Sequence, residues 1–340
     1  MGKLDNLTHL FWKENPDCYA ELFNQFLYGE EVIRGSSLKP ANLTNILFDR
    51  GRTLKRERDN FNIAEIRESD KEYLVLCGIE DSSYVDTTAV IRGIIYDGLG
   101  YNYQIKTFKE KDKLTGDEFL SGFPSDGILK PVHTLFFYWG NKPWNGPRCL
   151  FDMLDPQYVR KHKNLLDNYH LRIVIPAETN LRKISSLKTQ LREIIGYINT
   201  CNDSERLTSM IHSDQFHFRN LSYSTAELLN AVTHSHLPLR EFLNNDGDVD
   251  MCEAIDQMRN QIIEAKRESA DARRESANLK RETADAKRET ADAKRESANA
   301  KRESAYANCK ADAFEAYLRK LGVSEEEIKA ITPDRKGFVS

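Results

Sequence analysis

The sequence lacks the patterns that mark several common classes of protein. Its six cysteines are scattered without a C-x-x-C pair, which argues against a disulfide framework or a zinc site. It has no apolar run of about 20 residues, so no membrane span is expected. There is no Gly-rich phosphate loop, no Cys–His pair and no G-x-S-x-G motif, which disfavours nucleoside triphosphatases and serine hydrolases. Since the N-terminus also has no signal-peptide core, we expect a cytoplasmic protein with reduced thiols.

Glycine, proline and tryptophan are missing altogether from residues 266–307, where the sequence repeats every seven residues. The six units are KRESADA, RRESANL, KRETADA, KRETADA, KRESANA and KRESAYA, with twelve basic and nine acidic residues. Ala, Lys, Arg and Glu are strong helix formers, so these units predict a rod of roughly 60 Å. The net charge of −4 for the whole chain does not by itself favour a nucleic-acid partner.

The repeat allows two interpretations of this helix. With Ala272 and Leu279 at heptad position d, the a positions are Ser or Thr, the g positions Glu and the e positions Lys or Arg. That charge pattern favours a homo-oligomer through residues 266–307. The stripe is small and partly polar, however, so a single solvated helix with pairs of the Arg267–Asp271 type is equally open. The a positions are Ser269, Ser276, Thr283, Thr290, Ser297 and Ser304.

The first 250 residues predict a mixed α/β domain. The segments CYAELFNQFLYG, TAVIRGIIYDGLGYNYQI and KISSLKTQLREIIGYI have helical spacing. The segments DNFNIAEI, EYLVLCGIE, HTLFFYWG and LRIVIP are typical of strands, the last two of strands covered on both faces. We therefore expect domains at residues 1–250, a long helix over 251–318 and a short helical tail over 319–340.

One predicted strand runs directly into two acids, Glu80 and Asp81. If residues 69 and 70 form a two-residue hairpin loop, paired residues sum to 139, and Asp59 lies opposite Glu80. Directly opposed side chains share a face, with Cβ atoms about 4.5–5.5 Å apart. Ser82 lies on the same face because side chains alternate along a strand.

Two opposed carboxylates repel each other unless a cation lies between them. A hard divalent cation such as Mg²⁺ takes oxygen ligands and keeps waters available for a phosphate substrate. Such an ion can polarise a phosphate and activate water. The alternative is an exposed hairpin with two unrelated acids, and the spacing alone leaves both interpretations open.

Four segments in order carry a family resemblance: RERDN, LVLCGIEDSS, VIRGIIYDGLGYNYQ and FFYWGNKPWNGPRCLFDML. Together they resemble the Rpn family of recombination-promoting nucleases and transposases, within the PD-(D/E)XK nuclease superfamily. The resemblance covers roughly residues 5 to 250 and implies a mixed sheet flanked by helices. The residues that match the family pattern are Arg58, Asp59, Gly78, Ile79, Glu80, Asp81, Arg92, Tyr96, Asp97, Gln104 and Trp144.

The resemblance implies hydrolysis of DNA phosphodiester bonds, with Asp59 and Glu80 as ligands of Mg²⁺ or another divalent cation. It also compares Glu21, on the first helix, with an extra acid found in part of the superfamily. One active-site position departs from the pattern, since Ser82 stands where Lys or Gln is usual. Either the site is impaired, or Gln104 or Lys106 supplies the missing group.

Other polar groups have two interpretations each. Arg52, Lys55, Arg56 and Arg58 precede Asp59 and could contact DNA phosphates, or they could form a solvated basic turn. The histidines of HSDQFHF and THSHL fit no standard zinc spacing, and we expect ordinary surface or core histidines.

Two functions follow. The first is an Mg²⁺-dependent DNA endonuclease associated with recombination or transposition. The second is a catalytically impaired relative that binds DNA or a protein partner, with the C-terminal helix as an assembly arm.

Overall fold

The computed structural model describes residues 3–40, 44–49, 52–57, 60–68, 71–111 and 114–332. The chain forms two compact units, Met1–Asn260 and Gln261–Ser340. The first is mixed α/β with a five-stranded mixed sheet, and a long helix follows, which confirms the predicted α/β class and the long C-terminal helix. Among the described residues, no helix is both long enough and apolar enough to cross a bilayer.

Two N-terminal helices are followed by five successive strands, then by helices with two further strands among them, and the regular elements from Leu181 onward are helices. The strands are β1 (Lys39–Pro40), β2 (Thr44–Asp49), β3 (Arg52–Glu57), β4 (Asn60–Glu68), β5 (Lys71–Ser82), β6 (Val132–Tyr138) and β7 (Ile173–Val174). The α-helices are α1 (Lys3–Glu14), α2 (Pro16–Phe23), α3 (Ala89–Lys111), α4 (Gly116–Ser121), α5 (Pro156–His162), α6 (Leu181–Ser186), α7 (Leu191–Thr200), α8 (Ser204–Ser213), α9 (Gln215–Phe218), α10 (Tyr223–Thr233), α11 (Met251–Lys320) and α12 (Glu325–Ile331).

The main sheet has the strand order β1-β4-β5-β6-β7, and β2 pairs separately with β3. Strands β4 and β5 are antiparallel from Glu68↔Lys71 to Asn60↔Ile79, so each described pair sums to 139 and the predicted register is confirmed. Strand β5 then pairs with β6, and β6 with β7, both in parallel. The predicted partner of Glu80, Asp59, lies outside the described residues.

Both faces of this sheet are covered, because alternate residues of each strand enter different cores. Cys77, Leu135 and Phe137 belong to the larger core, which also holds side chains of α1, α2, α7 and α10. Leu76 and Phe136 belong to smaller clusters on the other face, where Val90 and Tyr96 of α3 are also buried. Successive residues of β5 therefore enter different environments.

Two predicted elements differ from the structure. The segment LRIVIP contains only the two-residue strand β7, because Pro176 begins a short 3₁₀ turn and a proline cannot donate to a ladder. The segment KISSLKTQLREIIGYI forms two helices, α6 and α7, separated by residues 187–190. The backbone amides freed by that break bind the carboxylate of Glu21.

Candidate active site at the end of β5

Glu80 lies near the end of the central strand β5 and is only 4% exposed. Arg92 of α3 forms an ion pair with its Oε1 atom. The hydroxyl of Tyr96 donates a hydrogen bond to the same oxygen at 3.3 Å. Arg92 and Tyr96 are four residues apart and so lie on one face of the helix. The structure thus brings together three residues that the sequence motifs singled out.

Arg92 has a second acidic partner, Asp86, in the loop between β5 and α3. Its Nη1 atom lies 2.6 Å from Oδ2 of Asp86, which is buried. The other oxygen of Asp86 accepts hydrogen bonds from the amide and hydroxyl of Thr88 at 2.8 and 2.7 Å. One guanidinium therefore compensates two buried carboxylates. Such pairing is needed because an unpaired charge is costly to bury in a protein interior.

Asp97, on the next turn of α3, has different partners. Its Oδ2 atom accepts a hydrogen bond from the hydroxyl of Tyr169 at 2.9 Å and pairs with Arg172 at 3.2 Å. Tyr169 reaches it by crossing Gly93, where an added Cβ atom would lie 2.8 Å from the tyrosine oxygen. Asp97 therefore connects α3 to the chain before β7.

Ser82 shares the face of Glu80 and is buried, but its hydroxyl donates to the carbonyl of Tyr84 at 2.6 Å. Gln104 is not brought to Glu80. Its side chain bonds both backbone groups of Lys130, at 2.7 and 3.0 Å. It also lies twelve residues beyond Arg92 on α3, which is about 18 Å along the helix.

Asp81, the second acid of the strand end, points to the opposite face. Its Oδ1 atom accepts hydrogen bonds from the indole nitrogens of Trp12 at 2.9 Å and Trp139 at 2.7 Å. Both indoles are buried, and Trp144 is buried as well. Sequence reasoning missed this contact, since Trp12 precedes Asp81 by 69 residues.

Glu21, on α2, binds the residues that separate α6 from α7. Its carboxylate accepts hydrogen bonds from the amides of Lys188 at 2.5 Å and Thr189 at 3.0 Å, and from the Thr189 hydroxyl at 2.5 Å. This buried carboxylate therefore supplies hydrogen-bond acceptors to the backbone amides of the turn between α6 and α7.

The basic residues before Asp59 are only partly described. Arg52, Lys55 and Arg56 lie on β3, where Arg56 pairs with Asn45 of β2 in the backbone register. Arg58 and Asp59 lie outside the described residues.

A separate group of side chains could hold a metal ion whose identity is unknown. Glu193, Asp214 and His217 each offer a ligand atom, and these atoms lie within 4.8 Å of one another. Burial raises the pKa of Glu193, although the charge of Arg192 acts in the opposite direction. Arg192 already provides a cation here, at 3.0 Å from Glu193 and 2.6 Å from Asp214. Spacing along the sequence did not indicate this group, because Glu193 lies on α7 and precedes Asp214, the residue before α9, by 21 positions.

Compared with known proteins, the chain matches no family model, no curated protein and no solved structure.

Proposed function

We propose that the unit Met1–Asn260 is an Mg²⁺-dependent DNA endonuclease of the Rpn kind, with a PD-(D/E)XK core, which acts in the cytoplasm on DNA that is recombined or transposed. The supporting observation is the buried Glu80 at the end of β5, with Arg92 and Tyr96 directed at its carboxylate. The paired residues of β4 and β5 have numbers that sum to 139, which is the register that the prediction for Asp59 and Glu80 requires.

Glu80 fits a hard cation, because a carboxylate oxygen is the ligand type that Mg²⁺ prefers. In this proposal Asp59 is the second ligand. A divalent ion would supply phosphate polarisation and a more acidic bound water. Arg92 fits the same proposal because it can release Glu80 and still keep its pair with Asp86.

The chain's own residues then have separate tasks. Tyr96 orients Glu80, and Arg92 compensates the buried charge when no other cation is present. Arg52, Lys55, Arg56 and Arg58 are proposed to contact DNA phosphates, which position a duplex without reading its sequence.

A second candidate function is a catalytically impaired relative that binds DNA or a protein partner. Two contacts favour it. The hydroxyl of Ser82 is occupied by Tyr84, and the amide of Gln104 is occupied by Lys130. Orientation of an attacking water by a positioned amine or amide can change a rate by orders of magnitude. Without such a group, the natural protein would still bind DNA or a protein partner, but it would cleave DNA slowly.

Plasmid nicking by the full chain separates the two functions. The natural protein is compared with Glu80→Gln, Asp59→Ala and Ser82→Gln in Mg²⁺, Mn²⁺ and EDTA, with the exposed Glu30→Gln as the matched control. The endonuclease proposal expects metal-dependent nicking that Glu80→Gln and Asp59→Ala abolish and that Ser82→Gln increases. If no variant nicks DNA while all bind it, the impaired relative is the correct function.

A further inference from the structure

The heptad phase of the repeats continues beyond them in both directions along α11. Counting by sevens from the repeats places apolar residues at a and d before and after them. Ile262 and Phe314 are 45% and 50% exposed, so about half of each side chain is left open to solvent by the residues that the structure describes. A strict seven-residue period follows a left-handed supercoil around another helix. The additional a and d residues are Ile262, Ala265, Ala311, Phe314, Leu318 and, just past α11, Leu321.

The charges at g have no partner within their own helix. Side chains three or four residues apart are the ones that can pair on a helix. Each g-position Glu has only Ala, Leu, Asn, Asp, Glu or Tyr at those four places. Several of these neighbours, such as Asp271 beside both Glu268 and Glu275, are like charges and destabilise a lone helix. The g positions are Glu268, Glu275, Glu282, Glu289, Glu296 and Glu303.

The charges at e are equally without partners in the helix. Each has only Ile, Ser, Thr or Ala three and four residues away. The f-position arginines differ, since Arg274 lies 3.8 Å from Asp271. Thus an outer f charge has an acidic neighbour at c within reach on its own helix, as Arg274 does, whereas the charges beside the a/d stripe have none. The e positions are Lys266, Arg273, Lys280, Lys287, Lys294 and Lys301.

We propose that α11 binds a second copy of this chain as a parallel, in-register coiled coil. In that arrangement each g residue faces the e residue five positions further along the other helix. Glu268 then meets Arg273 and Glu275 meets Lys280, and the remaining repeats follow the same rule. An antiparallel pair would instead place Glu against Glu and Lys against Lys. The charge pattern therefore selects both the partner and its direction.

Engineered cysteines test the direction in the full chain. In a Cys309→Ser background, Ala300→Cys places a thiol at d, and Ala298→Cys places one at b on the outer face. The parallel register brings the two copies of position 300 together, so mild oxidation should give a covalent dimer for Ala300→Cys and little for Ala298→Cys. Equal cross-linking of the two variants would overturn the proposal.

Charge exchange tests the partner. One variant combines Glu275→Lys, Glu282→Lys, Glu289→Lys and Glu296→Lys. The other combines Lys280→Glu, Lys287→Glu, Lys294→Glu and Lys301→Glu. Each alone should show the mass of one chain in sedimentation equilibrium, and their mixture should recover the mass of two. Circular dichroism of both variants checks that the helix is retained.

The natural chain should have the mass of two chains at micromolar concentration. A single-chain mass for the natural protein would overturn the proposal. A single-chain mass that increases only when duplex DNA is added would do so as well, and would assign these charges to nucleic acid.

Discussion

Charged side chains are buried and paired at the end of β5, whereas in the repeats of α11 they are exposed. At the end of β5, Glu80 and Asp86 are buried and share Arg92. In the repeats, the Glu residues at g and the Lys and Arg residues at e are exposed and have no opposite charge within reach on their own helix. Burying a charge without a partner costs several kcal/mol, whereas an exposed charge is solvated by water. A buried charge therefore needs an oppositely charged partner within the same fold, whereas an exposed charge remains available to pair with another molecule.

The largest expected effect on stability comes from removing Arg92, the cation that Glu80 and Asp86 share. Arg92→Met leaves Glu80 and Asp86 buried without compensation, and the free energy of unfolding should fall by about 3–5 kcal/mol. Urea unfolding measures it. The matched control is Arg281→Met, an exposed f-position change in α11 that should leave the first unit's transition unchanged. A loss as small as the control's would mean that Glu80 does not depend on Arg92.

The next effect concerns a buried acid that is compensated by hydrogen bonds. Glu21→Ala leaves the amides of Lys188 and Thr189 without their acceptor and should cost about 2–4 kcal/mol. Glu21→Gln keeps one acceptor oxygen and should recover part of that loss. The exposed Glu30→Ala is the control in the same urea experiment. Equal midpoints for Glu21→Ala and Glu30→Ala would show that the turn between α6 and α7 does not need the carboxylate.

A smaller, pH-dependent effect is expected at His133. Burial, together with the positive charge of Arg172, lowers its pKa from 6.5, although Asp97 acts in the opposite direction. The unfolded chain therefore binds the proton more strongly, so stability from the neutral imidazole is present above pH 6.5 and is lost as pH falls.

Thermal unfolding at about pH 7.5 and pH 5.5 measures this dependence, since the two values bracket the ordinary histidine range. His133→Phe should reduce the fall in melting temperature between them. His236→Asn at an exposed position is the control, and Asn tolerates the positive φ found there. An unchanged fall in His133→Phe would exclude His133 as its source.

The smallest effect belongs to the outer charges of α11. Asp271→Ala removes the pair with Arg274, and the exposed geometry limits the cost to at most about 0.5 kcal/mol. Helix content measured by circular dichroism should stay within error of the natural protein. A large loss of helix would mean that outer pairs, and not a second copy, stabilise α11.

Local patterns predicted much of the fold. The register of β4 and β5 follows from a two-residue connection, and α11 follows from composition. The break between α6 and α7 could not be predicted in this way, because it is stabilised by Glu21, more than 160 residues earlier in the chain. Its helical spacing was correct on both sides of the break.

The candidate site shows the same limit. The sequence motifs singled out Glu80, Arg92 and Tyr96, and these do meet. That Arg92 also binds Asp86 depends on how the loop after β5 turns, which no periodic pattern encodes. Asp59 stays a prediction, as does its role as a metal ligand.

The near identity of the six repeats has a consequence for inheritance. Gain or loss of one whole unit changes the helix by about 10.5 Å and leaves every remaining residue in its heptad position. Duplication errors within the repeats can therefore change the length of the helix without changing which charges face each other at e and g. A slip of seven residues between two helices would also re-form most charge pairs, so the a and d residues that do not repeat, Ile262, Leu279 and Phe314, distinguish one alignment from the next.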